Sequence, residues 1–379
     1  MLRLFTKIFL DAKTVAILCK LYYTVLVSIL GGKIMSKKIF SLVVCLLILL
    51  LSGCSEAPER LSVDKGDEPS STVKEPEPVL YKNPLTGISE LSKGKADDRP
   101  VAIMINNIAV AQPVQTGINK ADIVYETEVE GGITRLMAVY QDVTKAERIG
   151  SIRSARYAYV DLALGHNAIY LHRGQDEVYC GPHLNDIDDI DISESNYATR
   201  ISNGLSTEHT LYTFGETLWN GIVNDGYKTE RGSSDPWVNF SDENSPVSFE
   251  STAGSVSVPF SSQYETVFKY DSASGMYTRY FGNTVRKDYY TGETVKVKNV
   301  FVLLTAINSY SDGYHRQVSL NSGDGYYCVN GTYTPIKWSK GSAKSGFKFT
   351  DANGNELTVN PGNSWVCIAS KSNSQPVFE

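Results

Sequence analysis

The sequence predicts an α+β protein, a mixed α/β N-terminal domain followed by a mainly antiparallel β C-terminal domain, and three observations carry that prediction. Before residue 240, apolar runs of strand length alternate with two segments of helical periodicity. After residue 262, short runs of Tyr, Phe, Val and Thr alternate with turn sequences and no helical segment interrupts them. Between them lies SDENSPVSFESTAGSVSVPFSS, Ser241 to Ser262, whose Ser, Pro and Gly content reads as a linker. A folded part of about 295 residues from Leu85 is long for one core, so the expectation is two domains, 85–240 and 263–379.

The elements follow in order. RPVAIMINN reads as a buried strand, and ADIVYETEVEGGITRLMAVYQD as two strands around Gly131-Gly132, a pair suited to a tight hairpin. SARYAYVDLALG reads as a helix with Ser154 as N-cap and Gly165 just past its end. NAIYLHRG is a further strand, and TFGETLWNGIVNDGY a second helix capped by Thr213. The β region takes its strands from ETVFKYD, GMYTRYFG, VKNVFVLLTAI, RQVSLN, GYYCVNGTYTPIKWSK and GFKFTDANGNELTVNPGNSWVCIAS. VNGTY and DANGNEL are Asn-Gly hairpin signals, and the whole reads as an antiparallel sheet or small barrel.

The start of the chain gives its address. MSKKIFSLVVCLLILLLSGCSEAPE has a basic start, thirteen apolar residues from Ile39 to Leu51 and a small-residue site at Cys54, the layout of a secretion signal over 35–53. That apolar core is short for a bilayer of about 30 Å. LLSGC resembles the lipobox of bacterial lipoproteins, which implies lipidation of Cys54 and anchoring at the extracytoplasmic face of the cell membrane. Residues 1–34 precede a complete signal, so Met35 reads as the true start. Residues 54–84, rich in Pro, Glu and Ser, are too polar to fold and form a tether.

The first 53 residues hold seven of the 36 Lys and Arg and one of the 42 Asp and Glu, so the chain from Cys54 carries a net charge of −12. Such a surface does not favour nucleic acid. Beyond Cys54 only Cys180, Cys328 and Cys367 remain, which is no disulfide framework, although Cys328 and Cys367 could pair. Cys180-Gly-Pro-His183 has no second pair of ligands, so no metal site is expected, and nothing points to a cofactor.

Two constellations could carry chemistry. On an extended strand, Glu126, Glu128 and Glu130 share one face, and like charges so placed repel unless cations, arginines or water neutralise them. ERIGSIRSAR then sets Arg153, Ser154 and Arg156 around the start of the first helix, where free N–H groups also attract anions. With Arg135 these form one polar site, or else a structural ion network. His172 and His209 are further candidates to bind at this site.

The strings RPVAIMINN, QTGINKADIVYETEVEGGITRLMAVYQD and ERIGSIRSAR resemble the N-terminal domain of the YerB-like lipoproteins of Gram-positive bacteria, classed as domain of unknown function 3048. DGYHRQVSLNSGDGYYCVNGTYTPIKWSK, with NGNELTVNPGNSWV, is similar to its C-terminal domain. The family pattern maps onto Asn106, Glu126, Glu130, Gly131, Gly132, Thr134, Arg135, Arg153, Ser154, Arg156, Asp161, His172, His209, Tyr212 and Thr213. This chain departs from it at HRGQDE, where a small Gly-rich loop is expected, and at Glu208, where proline is expected. The resemblance implies no established activity.

The expected function is a membrane-anchored lipoprotein whose Glu and Arg site binds cell-wall glycan. A second reading is a peptidoglycan-cleaving enzyme with Glu126 or Glu130 as acid/base, since a glutamate of raised pKa can protonate a glycosidic oxygen. A third is a protein–protein scaffold of the envelope. The expected partners are the membrane, through the lipid on Cys54, and peptidoglycan or an envelope protein.

Overall fold

The structure, a computed structural model, describes residues 79–193, 196–233 and 235–379. The upstream segment, the signal at 35–53, Cys54 and the tether as far as residue 78 lie outside the described residues. The fold begins before Leu85, because Tyr81–Lys82 pairs with Ser89–Leu91 and Asn83 is buried.

The strands used below are β1 (Val101–Ile105), β2 (Ile123–Glu128), β3 (Thr134–Tyr140), β4 (Ile169–His172) and β5 (Asp189–Asp191). Beyond the helices α1 (Tyr157–Gly165) and α2 (Gly215–Asn224) come β6 (Ser255–Pro259), β7 (Glu265–Asp271) and β8 (Met276–Phe281). The chain ends through β9 (Asn299–Thr305), β10 (Ser322–Val329), β11 (Thr332–Lys340), β12 (Phe347–Thr350) and β13 (Ser364–Ser370).

One eleven-stranded sheet holds strands from both ends of the chain, in the order Ser251–Thr252, β11, β10, β9, β13, β2, β3, β1, β4, β5, with β12 also on β11. The join is β13, which runs parallel to β9 on one side and to β2 on the other. NVFVLLT and SWVCIAS are buried at every position, as parallel strands covered on both faces must be. The β region is therefore neither a separate sheet nor a barrel: its central strands extend the sheet begun upstream. The segment 241–262 is likewise more than a linker, since it supplies Ser251–Thr252 to this sheet and β6 to a second one.

That second sheet has six strands, with β8, β7 and β6 at its centre. It packs with α2 on one face of the large sheet, in a core of Trp365, Cys367, Val300, Phe268, Tyr277 and Leu218. The opposite face carries α1, whose Tyr159, Leu162 and Ala163 share a second core with Met104, Tyr125 and Phe301. Burial of these side chains, each contributing about 1.5–3 kcal/mol, holds the layers together.

The hairpin at Gly131-Gly132 forms as expected, both glycines in the left-handed region with φ of 70° and 69°. Asn330-Gly331 turns β10 into β11 with φ of 53° and 74°. Both helices start later than their capping signals. Arg156, not Ser154, is the residue before α1, and Gly165 is its last residue. Phe214 precedes α2, while the Thr213 hydroxyl donates to the Tyr197 carbonyl at 2.7 Å.

Candidate functional site

The three glutamates do not share a site. Glu126 is fully buried and accepts four hydrogen-bonding groups: Asn107 Nδ2 at 3.0 Å and Thr134 Oγ1 at 2.8 Å on Oε1, Trp365 Nε1 at 3.0 Å on Oε2, and Thr266 Oγ1 across both oxygens. Buried Arg279 stacks over the Trp365 ring at 4.6 Å and donates to Asn107 Oδ1 at 3.2 Å. This carboxylate ties β2 to β7 and β13. No ligand reaches it from outside, so the expectation that Glu126 stands in an open acidic row with Glu130 is corrected: the core claims it as an acceptor.

Glu128 pairs with Arg316, whose Nε lies 2.8 Å from its Oε1. Glu130, just past β2, pairs with Arg156 through both oxygens, with Arg156 Nη2 at 3.0 Å from Oε2 and the Nε–Oε1 contact shorter. Burial works against the Glu130 charge, but the Arg156 hydrogen bonds and the charges of Arg156 and Arg135 outweigh it and hold its carboxyl below the usual range. A carboxyl so held is poorly suited to donate a proton. Arg135 is buried beside it, donates to the Ser154 carbonyl at 2.8 Å, and is pushed down to about 10 by burial and by the Arg156 charge. Glu130, Arg135 and Arg156 thus form the ion network that the sequence reading held as its alternative.

Arg153 and Ser154 turn elsewhere. The stretch Arg153–Ala155 lies extended against Arg173–Gln175, held by Arg173 N–H to the Arg153 carbonyl at 3.1 Å and Ala155 N–H to the Gly174 carbonyl at 2.9 Å. Beside the carboxyl end of β4 these two stretches open a cleft of about 280 Å³ lined by Arg153, Ser154, Arg173, Gln175, Arg200 and Glu208. Three arginines and one carboxylate, Glu208, line it, and Arg200 Nη1 also donates to the Thr207 carbonyl. Arg153 Nη2 lies 3.1 Å from Glu208 Oε2, while its buried Nε has no acceptor. Among the described residues the exposed Arg173 guanidinium has no ion pair or hydrogen bond. Guanidiniums so grouped suit a carboxylate or phosphate, which they can grip through paired N–H donors.

The histidines build this cleft from behind. His172 is fully buried, with Nε2 2.9 Å from Asp189 Oδ2 and Nδ1 3.0 Å from the Gly174 carbonyl, which fixes the turn carrying Arg173. His209 is buried with Nδ1 2.8 Å from Asn106 Nδ2, and Leu211–Thr213 pairs beside it with Ala198–Arg200, which positions Arg200. Neither imidazole lines the cleft.

The sequence of this chain matches the family described as protein of unknown function (DUF3048), its N-terminal domain over residues 85–228 and its C-terminal domain over residues 256–366. The chain belongs to the DUF3048 family. A relative in Bacillus subtilis (strain 168), named there as a lipoprotein, YerB, is 27% identical over 305 residues, which are 76% of this chain and 86% of the relative. The crystal structure of YerB protein from Bacillus subtilis shares the fold, with a TM-score of 0.68 at 24% identity, covering 78% of this chain and 99% of that one.

Arg153 and Ser154 line the cleft together with Arg173 to Gln175 of HRGQDE and Glu208. Arg173 and Arg200 escaped the sequence reading. Arg173 adjoins His172, which marked the place; Arg200 sits in a polar run with no periodic signal. Cys180, Cys328 and Cys367 are buried and free, and burial pushes the Cys180 thiol up to about 12. Among the described residues no three His, Cys, Asp or Glu side chains are grouped to hold a metal, and no helix is long and apolar enough to cross a membrane.

Proposed function

We propose that this protein is a lipoprotein, anchored at the extracytoplasmic face of the cell membrane through Cys54, that binds an anionic group of cell-wall material in the arginine cleft. The grouping of Arg153, Arg173 and Arg200 in one cleft, with Arg173 unpaired among the described residues, carries this reading. The anchor rests on the short apolar stretch before Cys54 and on the lipoprotein name of the Bacillus subtilis relative. Muramyl and stem-peptide carboxylates are the anions within reach of a tether that, at about 3.3 Å per residue, extends up to about 100 Å. Arg153 and Ser154 would form the base of the cleft, and Arg173 and Glu208 would tune which anion enters. Binding without cleavage fits best, because Glu126 is enclosed and Glu130 is held ionised by Arg156.

The test is calorimetric titration of the detergent-solubilised chain with muramyl dipeptide. Arg173 is exposed, so Arg173→Ala should leave the melting temperature near that of the parent, within about 0.5 kcal/mol of stability. Loss of a charged hydrogen bond should weaken binding by roughly tenfold or more. A parent that binds no such fragment, or an Arg173→Ala chain that binds it equally well, rejects the reading.

A further inference from the structure

A second cleft, of about 540 Å³, lies where α1, the short helix Gly181–Leu184, the end of β11 and the hairpin Ile307–Ser309/Arg316–Val318 meet. Asp161 projects into it from α1, His183 from the short helix and Lys340 from β11, with Asn308, Gln317 and Asn321 along the hairpin side. It therefore draws on both matched regions of the chain, unlike the arginine cleft.

Two polar groups there are incompletely used. Asp161 Oδ1 is buried and has no hydrogen-bond partner, although His183 Nδ1 lies 3.5 Å away. Lys340 is 4% exposed and donates to the carbonyls of Ser342 and Ala343, two acceptors for an ammonium with three N–H donors. A buried polar atom left unmet costs about 1–3 kcal/mol, so such atoms lining a cleft mark where a ligand can supply the missing bond. Burial also pushes Lys340 down to about 8 and raises the Asp161 carboxyl, as expected of groups kept from water at a pocket wall.

The charges narrow the ligand. An anion would meet the Asp161 carboxylate and a cation the Lys340 ammonium, whereas a hydroxyl group can donate to the first and accept from the second. The three amides offer the same dual capacity, and the Tyr157 and Tyr310 rings add apolar wall on which a pyranose can pack. The volume falls within the range of about 300–1,000 Å³ typical of small-ligand sites. We propose that this cleft is a saccharide-binding site for a neutral, hydroxyl-rich and amide-bearing sugar, with Asp161 and Lys340 as its central acceptor and donor.

The proposal does not depend on the arginine cleft, and its test separates the two. The probe is triacetylchitotriose, a neutral acetamido sugar, titrated into the detergent-solubilised chain and followed by calorimetry and ligand-observed NMR. The parent should bind it saturably, and Asp161→Asn and Lys340→Met should each weaken binding roughly tenfold or more. Asn308 is exposed, so Asn308→Ala should fold like the parent and still bind several-fold more weakly, which keeps the test decisive if a buried variant fails to fold. Arg173→Ala should retain full affinity for this probe. The proposal is overturned by a parent that binds no triacetylchitotriose, by Asp161→Asn and Asn308→Ala chains that bind it as the parent does, or by an Arg173→Ala chain that has lost it.

Discussion

At the scale of residues, the three glutamates of YETEVEGG have three different fates, and those of Glu126 and Glu130 predict different responses to neutralisation. Glu126→Gln places an amide among four donors, so one donor loses its acceptor; the expected cost is about 1–3 kcal/mol, read by thermal melting, with binding in the arginine cleft unchanged. Glu130→Gln strands Arg156 beside buried Arg135 and should cost about 3–5 kcal/mol. Because the folded-state pKa of Glu130 lies below its unfolded value of 4.5, this stabilisation is present above that pH and is lost as the pH falls through the lower folded value. Melts of the parent and Glu130→Gln should converge in acid; a gap unchanged from pH 7 to pH 3 would refute the ion-pair account. Asp122 has the opposite sign. Burial raises its carboxyl to about 7 despite hydrogen bonds from Gln141 N–H and Asn83, so its contribution is present below the unfolded value of 3.8 and is lost as the pH rises through about 7. Asp122→Asn lacks this loss and should gain on the parent between pH 4 and 7, then stay level.

At the scale of elements, backbone pairing overrides local capping chemistry. Ser154 is a good N-cap residue, yet Arg153 N–H donates to the Met104 carbonyl and Ala155 N–H to the Gly174 carbonyl, so the chain stays extended until Arg156 and α1 starts at Tyr157. That delay turns Arg153 and Ser154 away from Glu130 and into the arginine cleft. Where the turn is purely local, sequence and structure agree. Gly331 has φ of 74°, and a Cβ there would lie 2.7 Å from the Tyr270 ring. Gly331→Ala should therefore destabilise by about 1–3 kcal/mol through strain and contact, with a lower melting temperature as the readout; an unchanged melt would mean that the β10–β11 turn tolerates a side chain.

At the scale of the whole molecule, β13 is the strand on which the two matched regions depend. It comes from the end of the chain and lies between β9 and β2, and its Trp365 supplies one of the donors to Glu126. A fragment of residues 76–240 would expose the β2 edge and the face covered by the second sheet, so it should show no cooperative thermal transition by circular dichroism. A sharp melt from that fragment would show that the upstream region folds alone. The anchor proposed at Cys54 has its own test: Cys54→Ala should abolish incorporation of labelled palmitate and release the protein from the membrane fraction, and labelling equal to the parent would remove Cys54 as the attachment point.

Local sequence alone specifies the buried run of β1, the strand run that holds β9, the hairpins at Gly131-Gly132 and Asn330-Gly331, and the existence of α1 and α2. Those depend on periodicity, side-chain shape and positive φ, all of which are written in neighbouring residues. Only the tertiary structure decided which strands became neighbours, because the pairing of β13 with β2 joins residues about 240 positions apart and no local pattern encodes it. The same limit hid the arginine cleft. Alternation along an extended strand placed Glu126 and Glu130 together, but Thr266 and Trp365, 140 and 239 positions downstream of Glu126, claimed one and Arg156 the other. Arg153 met Arg173 because its N–H donates to the Met104 carbonyl of β1, which sets Arg153–Ala155 beside the stretch that follows β4, and the pairing of Ala198–Arg200 with Leu211–Thr213 brought Arg200 to the same cleft.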